Sequence, residues 1–182
     1  QLTKIDAVVL AGSQNNGALR ECSTAKNEAL IPIGGRMMVE YVVQALQKSP
    51  RINRVVIAGP VVELSPLYGD SQNIGLTEAG KSAIESLQKG LQTLKEMSSG
   101  VTNGKFVLVA TSDIPMITPE AIENFFQLCE RRTGDLYYPV VTKEANEKKF
   151  PGVKRTYVNF KEGVFTGGNV FLINTAIVDR CA

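Results

Sequence analysis

The sequence predicts an α/β protein built on a mostly parallel sheet with helices on its faces, and three observations carry that expectation. Continuous apolar, β-branched-rich runs of strand length stand at Ile5–Leu10, Arg54–Ala58 and Phe106–Ala110. Such runs suit strands buried on both faces, the condition of a parallel sheet covered by helices. Between them lie segments whose apolar residues recur at helical spacing, so strand and helix alternate. No low-complexity tract, repeat or long linker interrupts the 182 residues, and we expect one domain over 1–182.

Taken in order, Ile5–Leu10 is interrupted only by Asp6 and closed by Gly12. A helix over Met37–Gln47 sets Met38, Tyr41, Val42, Ala45 and Leu46 on one stripe, and Arg54–Ala58 follows as the second strand. Pro66–Asn73 (PLYGDSQN) reads as turn chemistry. Lys81–Met97 is a second helix with Ile84, Leu87, Leu91 and Leu94 inward, leading to the strand Phe106–Ala110. Thr118 caps a third helix with Pro119 at its first position and Glu120 in its first turn, ending near Cys129. Beyond Gly134 come shorter strand-like pieces, Leu136–Val141, Thr156–Phe160 and Asn169–Ile173. A charged stretch (KEANEKK) and a glycine pair separate them, and we expect them to extend or cap the sheet.

Composition excludes several function classes. With 43% hydrophobic and 21% charged residues the chain is that of an ordinary globular protein. It contains no histidine, which removes Ser-His and Cys-His nucleophile pairs and every zinc site built on imidazole. A formal net charge of +2 with scattered basic residues gives no nucleic-acid field. No apolar run reaches membrane-spanning length, so we expect a soluble, cytoplasmic protein with neither nucleic acid nor membrane as partner. Cys22, Cys129 and Cys181 are odd in number and widely spaced, which suits buried apolar thiols in a reducing compartment. The chain opens on Gln1 and stops at Ala182 just after a segment that starts a helix, and we expect the natural protein to extend beyond it.

Four segments can carry chemistry. The first strand runs into Leu10-Ala11-Gly12-Ser13-Gln14-Asn15-Asn16-Gly17-Ala18-Leu19-Arg20. Its small residues let backbone N–H groups turn toward a phosphate that Arg20 would neutralise; a mobile surface turn is the equal alternative. Gly75-Leu76-Thr77-Glu78-Ala79-Gly80-Lys81-Ser82 matches GxxxxGK[ST] letter for letter. The pattern calls for a buried strand ahead of its first glycine, whereas turn chemistry stands there and Thr77-Glu78 reads as a helix start. Asp113, in Thr111-Ser112-Asp113-Ile114-Pro115 at the end of the third strand, is placed to hold a hard cation such as Mg²⁺. Thr166-Gly167-Gly168-Asn169 permits close approach of a ligand, and Asn169 offers an amide to a metal or substrate; a plain hairpin turn is nearly as good a reading. Lys154 and Arg155 could meet an anionic substrate or form solvated surface, and Tyr137 and Tyr138 read as sheet-face aromatics.

Together, VVLAG with its polar glycine loop, ALIPIGGRMMVEYVVQAL, TSDIPMITPEAI and TGGNVFLIN resemble, in order and over nearly the whole chain, the nucleotidyltransferases of the MobA-like type. The resemblance implies a GT-A-like, Rossmann-related α/β fold. It implies an enzyme that transfers a nucleoside monophosphate from a nucleoside triphosphate to a phosphorylated acceptor, releasing pyrophosphate with Mg²⁺. By position it sets Leu10, Ala11, Gly12 and Ser13 against the nucleotide, with Arg20 as the phosphate-contacting cation; the amides from Gly12 to Gly17 would then orient the triphosphate. Asp113 takes the place of the metal-binding aspartate, and Asn169 that of the residue that completes the metal or acceptor site; on their own chemistry Gly167, Gly168, Lys154 and Arg155 are read as contacts to the acceptor.

The sequence also departs from the family. Ser13 replaces the second glycine of GGxGxR and the loop before Arg20 is longer. An ungapped match to K-A-L-x-P-I-G-G puts Glu28 at the catalytic lysine and Met37 at a proline. Lys26, two residues earlier, takes the catalytic place if the loop bends toward the phosphates; otherwise a non-catalytic nucleotide-binding protein is the reading. A P-loop phosphotransferase using Gly75–Ser82 is a further alternative, and a glycosyltransferase with a DxD motif would need an acid where Thr111 stands.

Overall fold

A computed structural model of the chain describes residues 4–98, 104–153, 155–178 and 180. In chain order it comprises β1 (Ile5–Leu10), β2 (Pro32–Ile33), β3 (Arg36–Met37), α1 (Met38–Lys48), β4 (Ile52–Ala58), α2 (Val61–Tyr68), β5 (Ile74–Thr77) and α3 (Ala83–Met97). There follow β6 (Phe106–Thr111), α4 (Pro119–Cys129), β7 (Leu136–Tyr137), β8 (Val140–Thr142), α5 (Lys143–Lys149), β9 (Val158–Phe160), β10 (Gly163–Gly167), β11 (Val170–Asn174) and α6 (Thr175–Val178). The main sheet has six strands in the order β5-β4-β1-β6-β11-β7, and β8-β10-β9 form a smaller one. Strands β5, β4, β1 and β6 are parallel, while β11 runs antiparallel to β6 and β7. The expected fold class is the one observed: a mixed α/β protein with a mostly parallel central sheet flanked by helices.

The continuous apolar runs are explained by two-sided burial. Ala7, Val9, Val55, Ile57, Leu108 and Ala110 face a core shared with α1, α2 and α4. Val8, Val56, Val107 and Val109 face the other way, toward α3 and α6. Gly90 brings α3 against β1, since a Cβ there would stand 2.7 Å from Val8 Cγ1. The polar interruption Asp6 is buried because its Oδ1 accepts from Asn53 Nδ2 at 3.0 Å and from the Arg54 N–H at 3.1 Å.

Several local expectations change. Pro66 does not begin a turn but sits inside α2; the N–H it lacks would have bonded the carbonyl of Val62, a residue 79% exposed, so the missing bond falls on the helix's outer side. Thr77-Glu78 starts no helix, because Thr77 ends β5 and α3 is capped by Ser82, whose hydroxyl accepts from the Glu85 N–H at 3.1 Å. KEANEKK is a helix, capped by Thr142 and paired Lys143 to Glu147 at 3.7 Å. Leu136–Val141 is two strands in different sheets, divided at Tyr138-Pro139. Cys129 is buried as expected, whereas Cys22 is exposed and Cys181 lies outside the described residues. Among the described residues no helix is long and apolar enough to cross a membrane.

Candidate active site

Strand order reverses between β1 and β6, since the chain proceeds from β1 outward to β4 and β5 and then returns to the other side of β1. In open α/β sheets ligands bind at such a switch point, outside the carboxyl ends of the strands. At that end the Gly59 N–H donates to Thr77 O at 2.9 Å, Ala11 N–H to Ala58 O at 2.8 Å, Ser112 N–H to Leu10 O at 3.1 Å and Thr111 N–H to Asn169 O at 3.0 Å. These bonds set the Gly12 loop, Asp113 and Asn169 side by side.

The loop after β1 is tied together by its own hydrogen bonds. Asn15 is buried, and its Nδ2 donates to Ser23 O at 3.0 Å and Ala25 O at 2.9 Å. Its backbone N–H donates to Lys26 O at 2.9 Å, and Gln14 bridges Asn27 in antiparallel fashion. Asn27 Nδ2 donates to Ala11 O at 2.9 Å, and the Glu28 N–H donates to Ser13 O at 3.0 Å. The carbonyls of Ala11 and Ser13 are therefore occupied, while the N–H groups of Gly12 and Ser13 have no acceptor among the described residues. Asn15 Oδ1 is likewise buried without a partner among them. Gly12 itself is dictated by packing, since a Cβ would stand 2.5 Å from Ala79 Cβ on the loop after β5. Gly17 is exposed at the start of the short helical turn Ala18–Glu21, with nothing within 4 Å of a Cβ.

This folding brings Lys26 to Arg20. The two line one concavity of about 330 Å³ together with Gln14, Asn15 and Asn16, and neither has an ion-pair partner among the described residues. The concavity therefore carries two cations without carboxylate partners among the described residues, on the same loop as the free N–H groups of Gly12 and Ser13. Glu28 instead opens the helical turn Glu28–Leu30, which Asn27 caps by accepting from the Ala29 N–H at 2.8 Å. Met37 has a use for the N–H a proline would lack: it donates to Glu40 Oε1 at 2.7 Å and caps α1.

Asp113 is exposed beyond β6, where Oδ1 accepts from Thr111 Oγ1 at 2.5 Å and from Asn169 Nδ2 at 3.3 Å. One carboxylate, one hydroxyl and one amide oxygen suit a hard cation completed by phosphates and water. Among the described residues no group of three or more acids or cysteines forms a cage that would hold a metal by protein alone.

The glycine pair is not a hairpin turn. Gly167 ends β10 in the small sheet and Val170 starts β11 in the main one, so the segment is a crossing that runs beside Tyr138-Pro139. A Cβ on Gly167 would overlap the Tyr138 ring, and the Gly168 N–H donates to Pro139 O at 2.9 Å. Gly168, Asn169, Asp113 and Arg155 all border a groove of about 700 Å³; Lys154 lies outside the described residues. Tyr137 is structural, its hydroxyl donating to Arg132 O at 2.8 Å and accepting from the Gly134 N–H at 3.0 Å. The GxxxxGK[ST] match forms no phosphate loop, because Gly75 lies within β5 against Met97 and Val56 rather than after the strand, and Ser82 is a helix cap.

A mostly parallel sheet with a loop, a carboxylate and an amide gathered at its switch point is the architecture of a nucleotide-binding α/β class. The sequence matches the MobA-like NTP transferase domain over residues 7–178, and the chain belongs to that family. It is similar to the structure of a hypothetical transferase from Thermus thermophilus, 35% identical with a TM-score of 0.72, covering 96% of this chain and 67% of that one. It shares its fold with 4-diphosphocytidyl-2C-methyl-D-erythritol synthase from Anaerococcus prevotii, at 12% identity and TM-score 0.66, covering 100% of this chain and 77% of that one. The 2-C-methyl-D-erythritol 4-phosphate cytidylyltransferase of Francisella tularensis is similar at 12% identity and TM-score 0.67, covering 98% and 78%. No curated protein sequence matches the chain significantly.

Proposed function

We propose that the chain is a Mg²⁺-dependent nucleotidyltransferase that moves a nucleoside monophosphate from a nucleoside triphosphate to a phosphorylated small-molecule acceptor. The observation that carries this reading is the meeting of the Gly12 loop and Asp113 at the switch point, tied by the Ser112 N–H to Leu10 O. In this scheme the Gly12 and Ser13 N–H groups, Arg20 and Lys26 orient the triphosphate. Asp113, held by Thr111 and Asn169, faces the α-phosphate. An ionised oxygen of the acceptor phosphate forms a bond to the α-phosphorus. The bond from that phosphorus to the bridging oxygen breaks, and the electron pair leaves with pyrophosphate. The nucleophile carries its own charge, so the protein supplies position and electrostatics and needs no general base, as suits a chain without histidine. Mg²⁺, when bound, neutralises phosphate charge, and Asp113 with the Asn169 amide oxygen would hold it.

The second reading, a nucleotide binder without turnover, draws on Glu28 at the family's lysine position. Lys26 beside Arg20 argues for catalysis instead. A thermal-shift screen of the four nucleoside triphosphates with and without Mg²⁺ identifies the donor, and pyrophosphate release with a panel of phosphorylated acceptors separates the two readings. Release supports transfer; binding without release under every acceptor supports the inert binder.

A further inference from the structure

We infer that the acceptor carries its phosphate on an apolar body, an alkyl chain or unsubstituted ring rather than a polyhydroxylated sugar, and that this body lies in the groove beside Asp113. The inference rests on the transferase reading for the role of that phosphate. The groove, about 700 Å³ and open to solvent along one side, has the volume of a site for a small organic molecule. Its walls come from three places: Ile114 and Met116 of the loop after β6, Phe125 and Leu128 of α4, and Val141 and Phe150 flanking α5. Met116 is 84% exposed and Leu128 59%, so their side chains present hydrocarbon to whatever enters the groove.

The polar inventory argues the same way. Among the described lining residues only Asp113, Asn124, Arg155 and Asn169 carry polar side chains, and Asn169 Nδ2 is already spent on Asp113. In a groove open to water a sugar's hydroxyls gain few protein partners from these walls, whereas an apolar body gains by covering them. An acceptor with one anionic head meets its complement in Arg155, which has no ion-pair partner among the described residues. The groove is continuous with the reacting centre, because Asp113 and Asn169 belong to both. A molecule whose phosphate reaches the nucleotide therefore lays its body along Ile114, Phe125 and Leu128.

The test is a homologous series of ethyl, butyl and hexyl monophosphate, with glycerol 3-phosphate as polar comparator, titrated calorimetrically into the full chain. Affinity is expected to rise roughly three- to four-fold per methylene over the first few carbons. Met116→Asp, at a surface position with no part in folding, flattens that rise, as does Phe125→Asp, while Arg155→Ala weakens every member by a similar factor. Equal affinity across the series, or tighter binding of glycerol 3-phosphate than of hexyl phosphate, overturns the inference. So does a flat series in a chain that is dimeric by light scattering and made monomeric by Met116→Asp, since a second copy would then be the occupant. Pyrophosphate release with a polar acceptor and a flat series removes the apolar acceptor and leaves the transferase standing. A steep series with no release from any nucleotide keeps the groove as an alkyl-phosphate site and removes transfer.

Discussion

Asn169 donates through Nδ2 to Asp113 Oδ1 at 3.3 Å, joining residues 56 positions apart at the end of the same sheet. The contact follows from β11 running antiparallel to β6, which returns the start of the late strand to the carboxyl end of the middle one. Thr111 completes the arrangement from the other side. The carboxylate is thus oriented by two neutral donors, with no cation of the described residues paired to it.

Asn169→Ala is expected to lower turnover by about 10- to 100-fold, the usual effect of removing a group that orients a metal ligand. Stability should fall by only about 1 kcal/mol, for one lost hydrogen bond at a half-buried site. Steady-state kinetics at varied Mg²⁺ checks it: the half-saturating Mg²⁺ concentration rises in the variant.

Lys26→Ala and Arg20→Ala should each weaken nucleoside triphosphate binding by roughly 10- to 100-fold, the worth of a hydrogen bond to a charged group. Glu28→Gln, at a residue that opens a helical turn, is expected to change it by less than about three-fold, in line with an exposed or half-exposed surface change. Titration of the wild type and three variants with one nucleotide measures all of this. A collapse of binding in Glu28→Gln alone would move the catalytic role back to that position.

Two glycines of the same loop should behave oppositely. Gly12→Ala forces a Cβ to 2.5 Å from Ala79 Cβ, so the loop after β5 must shift at a cost of about 1–3 kcal/mol. Gly17→Ala meets nothing within 4 Å and should lie within about 0.5 kcal/mol of the wild type. Urea unfolding midpoints of the two variants distinguish them.

Burial pushes the Cys129 thiol from its ordinary 9.0 up to about 11, with the neighbouring Glu130 carboxylate adding to the rise. The folded chain keeps a proton there that the unfolded chain gives up. The resulting stabilisation is lower at high pH: it is complete below about 9 and is lost as pH climbs toward about 11. Urea midpoints measured from pH 8 to 10.5 should fall more steeply in the wild type than in Cys129→Val. With iodoacetamide at pH 8, exposed Cys22 reacts well before Cys129.

The buried framework is legible in the sequence because two-sided burial leaves an unbroken apolar run. That accounts for β1, β4 and β6, and for α1 and α4, whose stripes and Thr118 cap are local signals. Strand β5 is hidden because it includes Gly75, a turn residue by itself, whose bareness is needed against Met97 and Val56. Helix α2 is hidden by Pro66, which sits inside a helix of 8 residues with Leu64 as its buried residue. Asp113 and Asn169 can be found from strand ends, and Gly12 from its place after β1. Asn15 and Asn27 cannot, since their amides act on carbonyls of Ala25 and Ala11 that only the folded loop brings near. That Lys26 and Arg20 line one concavity depends on the same fold, as does the apolar character of the groove, assembled from a loop, a helix and the margin of a second sheet.

The most direct measurement is pyrophosphate release from a nucleoside triphosphate with Mg²⁺ and a phosphorylated acceptor, comparing the wild type with Asp113→Ala at matched stability. Release by the wild type and its loss in the variant is the predicted result. Full turnover by Asp113→Ala would contradict the assignment of the reacting centre to the switch point between β1 and β6.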